Sequence, residues 1–133
     1  MQHPFHRRGA RPILAVAALF LAACGSDSKA PPQSLGFFVE LESPNGAEGA
    51  AVLELDGDVA AVRAPAGSRV LTYAASGMTR VIVVLDQPGT IAFEIDLAER
   101  GPAPEARVIE VSDPNDALRA PSSRYDVSFR ARP

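Results

Sequence analysis

The side chains of this 133-residue chain that could do covalent or metal chemistry are few and poorly placed for it. There is one cysteine, Cys24, one lysine, Lys29, and two histidines, His3 and His6, all within the first thirty residues. Beyond them, no Ser-His-Asp or Cys-His nucleophile system and no His- or Cys-ligated zinc site can be assembled. A lysine Schiff base and a Walker-type phosphate loop are excluded on the same ground. Carboxylates remain. A pair such as Asp56 and Asp58, on either side of Gly57, could divide acid and base work. Asp-Gly-Asp is also strong turn chemistry, and a hairpin turn with solvated carboxylates is the expectation. Asp113, Asn115 and Asp116 present oxygens that could gather around Ca2+, but they lack the spacing of a defined loop, and Asp-Pro-Asn is ordinary turn chemistry. No catalytic residue, no metal and no cofactor is therefore expected, and the chain does not read as an enzyme.

Charge is placed unevenly. The formal net charge is −3, yet Arg7, Arg8 and Arg11 precede every acidic residue. After Ala23, ten Lys and Arg face sixteen Asp and Glu, a net −6. A domain with that balance repels phosphate backbones, so nucleic acid is not an expected partner. The absence of Trp, with six Phe and two Tyr in all, supplies poor material for a sugar-stacking platform. A single cysteine permits no intrachain disulfide, so the domain must be stable from its core alone. Roughly one hundred residues are sufficient for that.

The elements that carry this domain to its place stand first in the chain. Met1 to Arg11 is basic, and Ile13 to Ala23 is an unbroken apolar run. Eleven helical residues span roughly 16 Å, about half a bilayer core, which is too short to cross a membrane and suits the apolar segment of an export signal. The basic head keeps the amino end on the cytoplasmic side. Leu21-Ala22-Ala23-Cys24-Gly25 resembles the lipobox of bacterial lipoproteins. The resemblance implies that a signal peptidase recognises Leu21, Ala22 and Ala23, that residues 1–23 are removed, and that Cys24 carries a diacylglyceryl anchor. Two or three acyl chains at about 0.8 kcal/mol per buried methylene make such attachment permanent. Gly25 stands where that family's inner-membrane retention signal has Asp, which implies the outer membrane if the cell has one. The expected location is the cell envelope, facing periplasm or exterior. Residues 24–34, with Ser26, Ser28, Pro31 and Pro32, read as a lipidated cysteine and flexible tether.

From residue 35 to 133 the dominant period is two. Phe37, Val39 and Leu41 alternate with Phe38, Glu40 and Glu42; Ile91, Phe93, Ile95 and Leu97 with Thr90, Ala92, Glu94 and Asp96; Tyr125, Val127 and Phe129 with Arg124, Asp126, Ser128 and Arg130. Val81 to Leu85 is apolar on both faces, which predicts a central strand covered on each side. Turn chemistry at Ser43-Pro44-Asn45-Gly46, Asp56-Gly57, Pro65-Ala66-Gly67, Ser76-Gly77, Pro88-Gly89, Gly101-Pro102 and Asp113-Pro114-Asn115 separates the runs. About eight short strands at this spacing predict a single all-β sandwich of jelly-roll or Ig-like type. The order of strands Ala51–Leu55, Val59–Arg63, Thr79–Val84, Gly89–Ile95 and Arg107–Asp113 resembles cohesin-type modules, jelly-roll sandwiches that hold protein partners or sugars on bacterial surfaces. The resemblance implies recognition through a sheet face. Phe38, apolar on an otherwise acidic strand face, is the one residue out of pattern, fit for a binding patch or for packing under a loop.

These readings together predict a lipid-anchored envelope protein with a small non-catalytic sandwich that binds an envelope protein or polysaccharide. The alternatives are a structural subunit that assembles by sheet edges, and a small hydrolase using carboxylates alone.

Overall fold

The computed structural model describes residues 30, 33–120 and 124–133. Eight strands follow in order: β1 (Ser34–Glu42), β2 (Glu48–Asp56), β3 (Val59–Arg63), β4 (Ser68–Ala75), β5 (Met78–Gly89), β6 (Ala92–Gly101), β7 (Ala106–Ser112) and β8 (Asp126–Ala131). They form two four-stranded antiparallel sheets, ordered β3-β6-β1-β8 (sheet A) and β4-β5-β2-β7 (sheet B). The all-β sandwich expected from the alternating pattern is what forms. The expected signal peptide (1–23), with Leu21, Ala22, Ala23 and Cys24, and nearly all of the tether lie outside the described residues. The first strand starts one residue before the expected domain boundary, at Ser34.

Period-two alternation decides which side chains meet between the sheets. Phe37, Val39 and Leu41 of β1, Phe93 and Ile95 of β6 and Ile91 just before it face inward and are essentially fully buried. They meet Ala51, Leu53 and Leu55 of β2, Val81 and Val83 of β5 and Val111 of β7. Phe37 packs edge-on against Phe129 of β8, with centroids 6.2 Å apart. Burial of each such large side chain contributes about 1.5–3 kcal/mol, so the stripes read from the sequence are the ones that hold the sheets together.

Three expectations are corrected. Asp56-Gly57-Asp58 is not a hairpin turn, because β2 and β3 belong to different sheets; it is a corner at which the chain crosses the sandwich. The β-turn expected at Pro88-Gly89 is absent, since β5 continues to Gly89. The register slips between Ala50↔Val84 and Glu48↔Gly89, so residues 85–88 have no partner on β2, although Leu85 still pairs with Ser68 of β4, and Pro88, which has no N–H to donate, avoids the ladder. Val81 to Leu85 does lie between two hydrogen-bonded neighbours. Only its inward face is covered, however, and Ile82 and Val84 on the outer face are half-buried.

Of the seven connections, only β4–β5 stays within one sheet; every other link crosses from one sheet to the other. The registers set two ends. β1 begins at the end from which the expected tether would leave, beside Gly101 and the end of β8, where the 56–58 and 76–77 turns also lie. There Gly57 N–H donates to the Gly77 carbonyl at 2.7 Å. The far end carries the 43–47, 64–67 and 113–119 loops.

Candidate functional site

At the far end a carboxylate has been taken into the protein. Glu48 opens β2 with 1% of its surface exposed. Three side chains from two connections supply its partners. Ser43 Oγ, from the β1–β2 turn, donates to Glu48 Oε1 at 2.6 Å, and the Tyr125 hydroxyl, just before β8, donates to the same oxygen at 2.8 Å. Arg119 Nε, from the β7–β8 connection, donates to Oε2 at 3.0 Å. Asn45 Nδ2 in turn donates to the Tyr125 oxygen at 2.8 Å. Burial by itself pushes the Glu48 carboxyl pKa up, but the hydrogen bonds from Ser43, Tyr125 and Arg119, with the guanidinium charge, together hold it below its ordinary value. Burial and the bond donated to Glu48 push the Tyr125 phenol upward. Glu48 is thus held ionised, with two donors on Oε1 and one on Oε2, which suits a clasp between turns. The packing is close: a Cβ on Gly49 would lie 2.7 Å from the Asp113 carbonyl oxygen.

The sequence candidates for calcium stand beside this clasp. Asp113 Oδ1 accepts the backbone N–H groups of Asn115 (2.7 Å) and Ala117 (3.0 Å), which hold its pKa below the usual value. Asp116 takes φ 62°, a conformation an Asp in a turn tolerates. The three residues close a turn, and no group of three or more Asp, Glu, His or Cys among the described residues is placed to hold a metal. At the opposite end Asp56 lies 3.5 Å from Arg107, and the Asp58 carbonyl accepts the Ala98 N–H at 3.1 Å. Asp56 and Asp58 are both exposed and serve the crossover.

The outer face of sheet A offers a different environment. Outward positions on β1, β6 and β8 bring Phe38, Glu94 and Arg130 into neighbouring places, through the registers Phe38↔Glu94 and Phe38↔Arg130. The Arg130 guanidinium lies 4.9 Å from the Phe38 ring centroid, a cation–π contact that explains how an outward Phe becomes half-buried. Beside it, Arg63 of β3 and Arg132 after β8 each pair with Asp96, and Arg132 Nη1 donates to Glu94 Oε2 at 2.8 Å. A Cβ on Gly36 would press on the Arg132 guanidinium, the far end of a long side chain, which would have to shift. Between Phe38, Arg130 and the 64–65 loop lies an open groove of about 580 Å3, floored by Ala92 and rimmed by Arg63, Glu94 and Ser128. Its lining joins apolar side chains to charged groups of both signs.

Sequence reasoning singled out Phe38. It missed the Glu48 clasp, whose only trace is a Glu five residues after a turn Ser and a Tyr ahead of the closing strand. Comparison with family models, with characterised proteins and with solved structures yields no match for this chain.

Proposed function

We propose that this is an exported, lipid-anchored envelope protein whose sandwich is a non-catalytic binding module. In this reading a signal peptidase recognises Leu21, Ala22 and Ala23, Cys24 carries the lipid, and the mature chain stands on the envelope membrane facing periplasm or exterior. The domain holds an envelope protein or polysaccharide against a sheet face, as cohesin-type modules do, and the groove around Phe38 is the surface it offers. The observation that carries the reading is the coupling of a basic head, an eleven-residue apolar run and Leu-Ala-Ala-Cys, ending ten residues before β1. The arrangement of the ionisable groups supports it. Both oxygens of the buried Glu48 carboxylate accept hydrogen bonds from neighbouring side chains, and Asp113 serves its own turn.

Two measurements test it. Growth with a labelled fatty acid should mark the wild-type protein at the mature mass, and Cys24→Ala should be unlabelled and retain its leader. An unmodified Cys24 in the native product ends the anchor reading. Independently, Phe38→Ala should release whatever envelope component co-purifies specifically with the wild-type protein, while Leu118→Ala, an exposed change at the far end, should keep it. Equal retention by both variants removes the groove from the reading.

A further inference from the structure

The outer face of sheet B is apolar where solvent would be expected to select polar residues. Leu71 and Tyr73 of β4 are 65% and 69% exposed, and Ile82, Val84 and Val52 beside them are only half-buried. Registers align these side chains in rows across the sheet. One row runs Leu71, Ile82, Val52, Glu110, apolar over three strands. The next row toward the tether end runs Tyr73, Arg80, Glu54, Arg107. In that row Glu54 is held between two guanidinium groups: Arg80 Nε donates to it at 3.2 Å, and Arg107 lies at 3.4 Å.

We propose that this face is a self-association surface, on which a second copy of the chain docks with both tethers leaving toward the same membrane. The charges choose the occupant. A two-fold axis running along the strands between β5 and β2 reverses strand order and keeps each row at its own height. Ile82 then faces the second copy's Val52, and Leu71 faces β7 at Ile109 and Glu110. One row lower, Arg80 faces the second copy's Glu54, and Tyr73 faces its Arg107. In this lower row each cation meets a carboxylate or an aromatic ring, and each contact occurs twice, as an isologous interface requires.

The tethers select the same operation. Antiparallel pairing of two β4 edges would turn one copy upside down, with its β1 start about 30 Å from the other's, the length of a nine-residue strand. An axis along the strands leaves both β1 starts at one end. That part of the inference rests on the lipid-anchor reading; the complementarity of the rows does not. A four-stranded face is about 15 Å across and about 20 Å tall, below the roughly 800 Å2 per partner of a stable free complex. The association therefore belongs to copies concentrated on a shared surface.

Cysteine cross-linking of the full chain in membranes tests this. Val52→Cys and Ile82→Cys lie next to the axis, and Ser128→Cys lies on the opposite sheet. A short bis-maleimide should convert both of the first two to a species of twice the mass. It should leave Ser128→Cys and the unsubstituted chain, with Cys24 alone, at least about tenfold less converted. Arg80→Glu added to Val52→Cys should abolish the dimer, and exchanging the pair as Arg80→Glu with Glu54→Arg should restore it. Protease resistance of the same samples separates loss of docking from loss of folding. Equal conversion at Ser128 and Val52, an adduct of a different mass, or indifference to Arg80→Glu overturns the proposal. Fractionating the same cells reports the anchor separately: membrane-bound protein without cross-links defeats self-association alone, and cross-linked protein outside the membrane defeats the anchor alone.

Discussion

Two clusters in this protein are built from the same parts, carboxylates forked by arginine, and differ in where they stand. At the far end Glu48 is 1% exposed, with hydroxyl donors from Ser43 and Tyr125 completing what Arg119 begins. On the outer face of sheet A, Glu94 and Asp96 meet Arg63 and Arg132 in contact with water, with side-chain exposures of 36%, 22%, 54% and 26%. Pairing in water gains little, because solvent already stabilises the separated ions and screens their attraction. A carboxylate taken out of water must be fully paired, and removing it strands every partner. The far-end cluster should therefore govern stability, and the face cluster should govern what the surface presents.

The largest effect should come from Glu48→Ala, which leaves the Tyr125 hydroxyl, Ser43 and Arg119 without their shared acceptor and should cost about 3 kcal/mol in urea unfolding. Glu94→Ala on the open face should cost less than about 1 kcal/mol. Comparable losses would mean that burial does not separate the two clusters. Tyr125→Phe keeps the ring and removes one donor to Glu48; about 1 kcal/mol is expected.

Acid should separate the clusters by its own route. The Glu48 pKa in the folded chain lies below its ordinary value of 4.5. The stabilisation it provides is complete above the unfolded value and is lost as pH falls through the folded one. Melts below pH 4.5 should steepen in the wild type and flatten in Glu48→Gln; parallel curves would show that Glu48 is not the group titrating. The smallest effect should be that of Arg63→Ala, about 0.5 kcal/mol at low salt and less at high salt. A loss unchanged by salt would place Arg63 in a drier setting than its exposure indicates.

Much of the fold was legible because burial leaves a period in the chain. Phe37-Val39-Leu41 and Ile91-Phe93-Ile95 recur at every second position, with Glu40 and Glu94 between them, and they belong to the core. β4 carried no such contrast: Leu71, Thr72, Tyr73 and Ala74 are all exposed, so neither face wrote a pattern. Val81 to Leu85 was legible as central, but an apolar outer face reads the same whether another layer covers it or not. The Asp56-Gly57-Asp58 corner was legible as a turn, since Gly57 adopts φ 119°. Local chemistry sets the bend and says nothing of whether the next strand joins the same sheet. The groove was half legible. Phe38 broke its strand's polarity, while Arg130, which lies over its ring, is ninety-two positions away and signals nothing by type. Glu48 was invisible for the same reason: one acidic residue near a turn is ordinary, and only folding gathers its donors from positions 43, 119 and 125.

The chain crosses between its sheets at six of its seven links, and β1 takes β8 as a hydrogen-bonded neighbour. A layout so dominated by distant pairings closes slowly, on the order of milliseconds to seconds, because much chain must be corralled before any pair is rewarded. On the export route proposed above, which would thread the polypeptide amino end first through a narrow channel, such delay would be an asset. Sheet A gains its edge strand β8, and with it the Phe129 ring against Phe37, only once residues 126–131 have joined.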